Sequence, residues 1–160
     1  MDKGRFGRQD RLIKEKRHDT YRERGKYRDS TVCCKCGALF VNGRWSWKKQ
    51  EGQCFETTCP ACLRIADKYP AGYVMIRGPF FRDRQEEILN LLKNIEKLEK
   101  GEHPLERIMF IKKEKDHTAV STTGVHIARR IGDALYSSYQ GDLTLNYEDG
   151  EKRIRVQWER

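Results

Sequence analysis

Residues 32–64 read VCCKCGALFVNGRWSWKKQEGQCFETTCPACLR and contain all six cysteines of the chain. Two C-x-x-C pairs, Cys33/Cys36 and Cys59/Cys62, are separated by 22 residues. That is close to the spacing of a four-thiolate site, in which each pair offers two sulfurs from a tight turn and one Zn²⁺ takes all four tetrahedrally. Gly37, directly after the first pair, permits the backbone geometry such a turn needs. Residues 39–41 and 44–47 flank Asn42-Gly43, the two-residue signal for a type I′ hairpin, and residues 54–58 make a third short strand. Two pairs on two turns, joined by short antiparallel strands, describe a zinc ribbon with one structural ion. Trp45 and Trp47 fall on one strand face. With Phe40 and Phe55 they read as the ribbon's small core, with a base-stacking platform as the alternative. Cys34 and Cys54 read as spare small core residues. Cys34 is also an alternative to Cys33 as ligand, because the spacing does not fix the knuckle geometry.

The whole chain has 160 residues, a net charge of +9 and 36% charged residues. Its mean hydropathy of -0.89 places part of it outside any core. No apolar run is long enough to span a membrane, and the basic N-terminus lacks the apolar segment of a secretory signal. The sequence therefore predicts a cytoplasmic protein, whose cysteines face a reducing environment and favour metal over disulfides. The charge is unevenly placed. Residues 1–31 carry 11 Lys/Arg against 6 Asp/Glu, and residues 32–81 carry 7 against 3. The remainder is nearly balanced. A positive field on a tail and a metal module is the electrostatic footprint of a nucleic-acid binder.

Three segments follow from this: a basic flexible tail (1–31), the zinc ribbon with a connecting strand (32–82) and an α+β domain (83–160). The tail has too few apolar residues to offset the entropy of ordering. Its Arg5, Arg8, Arg11, Lys14, Lys16, Arg17, Arg22, Arg24, Lys26 and Arg28 interleave with aromatics, a composition suited to phosphates and unpaired bases. Arg44, Lys48 and Lys49 are the ribbon's candidates for RNA phosphate contact. Phe80 and Phe81 are expected to pack the join between ribbon and remainder. Residues 83–100 carry a helical stripe, Ile88, Leu91, Leu92, Ile95 and Leu98, with Asp83 as N-cap and Gly101 closing the helix. Strands are expected at 106–113 and 118–121, then a helix at 124–139 capped by Thr122 or Thr123. A final hairpin around Asp149-Gly150 puts Leu145 opposite Ile154 and Leu143 opposite Val156. The result is a small α-β-β-α-β-β sandwich with helices on one sheet face.

No catalytic constellation is visible: there is no Gly-rich phosphate loop, no H-E-x-x-H and no G-x-S-x-G. A four-cysteine zinc has no open position to activate water. The sequence therefore predicts a protein that is not an enzyme and has no small-molecule substrate. Arg129 and Arg130, with Arg153 and Arg155 of the hairpin, could extend an RNA surface or form an ion-paired solvated face.

Several phrases carry a resemblance: VCCKCG (32–37), GRWSW (43–47), CPACLRIADKYPAGYV (59–74), HPLERI (103–108), TTGVHIARRIGDAL (122–135) and YQGDLTLNYEDGEKRIRVQW (139–158). Together they resemble a short bacterial family grouped with the nonsense-mediated-decay-three-type proteins, the export adaptors of the large ribosomal subunit in eukaryotes. The resemblance spans 32–160. It implies a zinc-binding protein acting at the ribosome, on the large subunit, and carries over Cys33, Cys36, Cys59 and Cys62 as ligands. The longer relatives have two zinc sites and translation-factor-like domains, whereas this chain has cysteines for one site, so export is not implied. The expected function is that of a zinc-ribbon, rRNA-binding accessory factor in subunit maturation, quiescence or hibernation, with ribosomal proteins as possible partners. The alternatives are a DNA-binding or transcription-associated regulator and a protein-interaction adaptor.

Overall fold

The computed structural model describes Tyr21, residues 27–148 and residues 152–160. The fold is α+β, with four helices and two mixed sheets among the described residues. The first sheet is small: β1 (Thr31–Cys33), β2 (Leu39–Val41), β3 (Arg44–Ser46) and β4 (Phe55–Thr57), in the order β3-β2-β1-β4. Asn42 and Gly43 adopt φ of 52° and 79°, as the type I′ turn between β2 and β3 requires. Strand β1 falls outside the predicted elements, and it pairs with β4 in parallel rather than antiparallel.

The register lines up Trp45, Phe40, Thr31 and Phe55 in one row. Tyr27, from the segment before β1, packs on Phe40 and Trp45 with centroids 5.1 and 5.3 Å away. Phe55 shares that face but stays 52% exposed. It lies on the edge strand, with the Arg28 guanidinium 5.0 Å above its ring. Trp47 also leaves the expected core, because β3 ends at Ser46 and its indole turns to another element.

The second pair of cysteines opens a helix, α1 (Pro60–Asp67). Cys59 is its N-cap and Pro60 takes the first helical position, where the missing N–H costs nothing. Lys68 in the left-handed region ends the helix.

The larger sheet has five strands: β5 (Gly72–Arg77), β6 (Ile108–Lys113), β7 (His117–Thr122), β8 (Asp142–Glu148) and β9 (Arg153–Glu159), in the order β6-β7-β5-β9-β8. The predicted connecting strand is thus its centre, and the α+β module begins at Gly72 rather than residue 83. Strand β5 earns that place by its alternation: Gly72, Val74 and Ile76 point into the core while Tyr73 and Arg77 remain exposed. A short α2 (Pro79–Asp83) precedes α3 (Gln85–Glu102), and α4 (Val125–Tyr139) completes the helical layer.

The core joins Val74, Ile76, Val120, Ile154, Val156 and Trp158 of the sheet to Ile88, Leu92, Ile95, Ile127, Ile131 and Leu135 of the helices. Each such side chain contributes roughly 1.5–3 kcal/mol by leaving water. Leu89 takes a place in the buried stripe of α3, whereas Leu98 is 61% exposed. Asp83 is not the N-cap, because it belongs to α2, and Gly101 lies inside α3, which runs on to Glu102. Phe81 is buried in this core and Phe80 packs on Tyr139, so neither joins the two modules.

Neither Thr122 nor Thr123 caps α4. Their hydroxyls donate to backbone carbonyls, and the Glu106 carboxylate instead accepts the Ile127 N–H at 3.1 Å. The last hairpin is displaced by two residues from the predicted register: Leu145 faces Val156 and Leu143 faces Trp158. A two-residue shift keeps every side chain on its own face, so the buried face is as expected and the connection between β8 and β9 is four residues long. Asp149 and Gly150 lie outside the described residues.

Candidate metal centre

Cys33 ends β1, and its carbonyl accepts the Gly37 N–H at 2.9 Å as the chain turns through Cys36. Gly37 closes the turn at φ +80°. The opposite pair sits on the first turn of α1, where the Cys62 N–H donates to Cys59 Sγ at 3.4 Å and the Cys59 N–H to Cys33 Sγ at 3.2 Å. The four sulfurs of Cys33, Cys36, Cys59 and Cys62 all lie within 4.8 Å of one another, with Cys36 and Cys59 3.8 Å apart. Bonds of about 2.3 Å to a tetrahedral ion place sulfurs about 3.8 Å apart, so this donor set fits a single metal ion. Cys34 is exposed, with its thiol 3.7 Å from the Thr58 hydroxyl, and it does not replace Cys33. Cys54 is half-buried, so neither spare cysteine is a core residue.

Electrostatics reinforce the fit. Burial raises the Cys33 thiol, but backbone N–H groups of Cys59, Cys36 and Lys35 outweigh it and bring it to about 6. Burial pushes Cys59 up, and negative charge on Cys36 and Cys33 adds to the rise. Burial also raises Cys62, against the pull of Arg107. Four sulfurs this close cannot all ionise unaided, and a divalent cation relieves that conflict.

Sequence reasoning missed a fifth participant. Arg107, 6% exposed, enters from the α+β module. It donates to Cys36 Sγ at 3.1 Å, Cys62 Sγ at 3.4 Å and Cys59 Sγ at 3.7 Å, while its Nε donates to the Pro104 carbonyl at 2.7 Å. Burial alone would lower its pKa, but the sulfurs of Cys62 and Cys36 raise it, so it stays charged. Its guanidinium also lies 5.8 Å from the Trp47 ring. The Trp47 indole N–H donates to the Lys100 carbonyl at 2.6 Å, one of the four carbonyls a helix end leaves unpaired. Leu105 packs on the cysteine cluster. These contacts, rather than Phe80 and Phe81, form the join. Leu105 and Arg107 lie in the phrase HPLERI, and nothing in its spacing revealed the cysteines as partners.

Comparisons with protein-family models, curated proteins and solved structures find no match.

Among the predicted RNA-contact residues, Arg5, Arg8, Arg11, Lys14, Lys16, Arg17, Arg22, Arg24 and Lys26 lie outside the described residues. Arg28 covers Phe55. Arg44 stands exposed at the hairpin turn, and Lys48 and Lys49 are exposed just beyond β3. Arg129, Arg130, Arg153 and Arg155 do not form an uncompensated basic surface. Arg130 pairs with Glu99, Arg129 lies 3.9 Å from Asp133, and Arg153 and Arg155 both meet Glu148, at 3.5 and 2.8 Å. No described helix is long and apolar enough to cross a membrane.

Proposed function

We propose that this protein is a non-enzymatic, zinc-anchored RNA-binding factor that docks on the ribosome, with the large subunit as its site. One observation carries the reading. Arg44, Lys48 and Lys49 of the cysteine module are exposed without an ion-pair partner among the described residues, whereas the arginines of the last helix and hairpin face carboxylates. Uncompensated cations on a rigid module suit phosphates. Zinc is the ion of choice for four soft thiolates within tetrahedral reach, and it would hold the module folded with no position left for water. The cysteines themselves make up half of the buried cluster there, Cys33 and Cys59 beside Ala38 and Ala61. So little apolar surface cannot hold the module closed by itself. The resemblance of the sequence to ribosome-associated zinc proteins supports the same assignment.

The test is sedimentation of tagged protein through sucrose gradients at low and high salt. The expected result is co-migration with the large subunit or whole ribosomes, weakening as salt rises. Protein that stays at the top of the gradient at low salt sinks the ribosomal reading and directs attention to duplex DNA or a protein partner.

A further inference from the structure

The polar face of α3 carries Lys93, Lys97 and Lys100 at i, i+4 and i+7, one line of side chains over two turns. With Glu96 and Gly101 they line one wall of a cavity of about 420 Å³, and Trp47 of the cysteine module lines the other. Trp47 is 38% exposed there. Lys48 and Lys49 follow it in the chain, both exposed. None of these five lysines has an ion-pair partner among the described residues. The one carboxylate in the wall, Glu96, is committed to the Ile108 N–H at 2.9 Å, and neighbouring Glu99 is held by Arg130. The junction thus gathers unneutralised ammonium groups around an indole held in place by the Lys100 carbonyl and the Arg107 guanidinium.

Lys100, in the last turn of α3, also complements the helix dipole, but that role needs neither an aromatic wall nor five uncompensated cations. Lysines supply point charges for phosphates, and an exposed indole supplies a face for an unpaired base worth about 1–3 kcal/mol. We infer that this groove is a binding site for single-stranded RNA, with backbone phosphates on Lys93, Lys97 and Lys100 and a base stacked on Trp47. The inference rests on the RNA-binding reading above and names the surface that does it. It also explains why Trp47 is spent on the module junction rather than on the aromatic row of the small sheet.

The test is fluorescence anisotropy with a labelled single-stranded RNA of mixed sequence, from 50 to 200 mM salt, on the wild type and on K93A/K97A/K100A. All three positions are exposed, so the variant should melt like the wild type. Removing three phosphate contacts should make the log–log salt slope shallower by about two, since each contributes about 0.7 on a single strand. Over that salt range the wild type should then lose about 20-fold more affinity than the variant. A W47F variant, which keeps a ring, should bind RNA better than W47L. Wild-type binding with an unchanged slope in the triple variant overturns the groove and leaves the RNA reading standing. Failure of the wild type to bind RNA overturns both. Equal binding of poly-glutamate, indifferent to position 47, assigns the groove to an acidic protein and overturns the RNA assignment.

Discussion

Arg107→Met is the substitution that most sharply tests the link between the two modules. It keeps the aliphatic stem and removes the fork that reaches three of the four sulfurs and the Pro104 carbonyl. Four thiolates around a divalent ion carry a net charge of about −2, by simple addition of ionised ligands, and Arg107 offsets half of it from a site only 6% exposed to water. Screening is weak there, so the loss should register in full. Removing an outer partner of metal ligands costs about 10–100-fold in metal affinity, which is about 1.4–2.7 kcal/mol. Arg107→Lys should fall between, because a single ammonium cannot serve three sulfurs and a carbonyl at once. The assay is zinc competition against a chromophoric chelator at pH 7, with melting of the metal-loaded proteins alongside. Zinc affinity within twofold of wild type, at an unchanged Tm, would refute the view that Arg107 neutralises the cluster and ties it to the α+β module.

Chelation, or Cys59→Ser, should unfold the cysteine module while the α+β core persists, because the metal supplies the module's folding free energy. Trp45 and Trp47 fluorescence should change, with a cooperative transition of the remainder retained, and an unaltered metal content in Cys59→Ser would refute the ligand assignment. Gly72→Ala should cost roughly 1–3 kcal/mol in urea unfolding, since a Cβ there would lie 2.3 Å from Thr122 Oγ1 and 2.5 Å from Ala128 Cβ. An unchanged midpoint would mean that β5 and α4 are not in that close approach. Arg155, with Arg153, holds the Glu148 carboxyl below its ordinary value of 4.5. Its folded value is the lower one, so its contribution is complete above the ordinary carboxylate range and is lost as pH falls through the depressed value. Glu148→Gln should therefore cost at most about 1 kcal/mol at neutral pH, and melting curves of the two proteins should converge in acid.

Much of the architecture was legible because it is local. Asn42-Gly43 can close only a tight hairpin, and the alternation of Ile154, Val156 and Trp158 reports one buried sheet face whatever the register. The hairpin prediction missed by two residues for that same reason: period-two patterning fixes the face but is blind to even shifts. Helix boundaries slipped where the stop signal was statistical. Gly101 can end a helix, but here α3 continues one residue further and Trp47 covers the Lys100 carbonyl. Strand β5 was recognised as a strand yet assigned to the wrong neighbour, because its paired residues in β7 and β9 lie 40 to 50 and 82 residues away in the chain.

The sequence by itself narrowed the four-cysteine set to two C-x-x-C pairs with Cys34 as the alternative to Cys33, since that spacing limits which sulfurs a single turn can aim together, and it determined the α+β class through its hydrophobic periods. The tertiary structure alone decided which groups surround that set and where charge is left uncompensated. Arg107 donates to the sulfurs, Glu106 caps α4, Glu148 and Glu99 meet arginines of the last helix and hairpin, and Lys93, Lys97 and Lys100 have no ion-pair partner among the described residues beside Trp47. Each of these depends on residues far apart in sequence meeting in space, and a charge pattern along a chain does not say which charges will be neighbours.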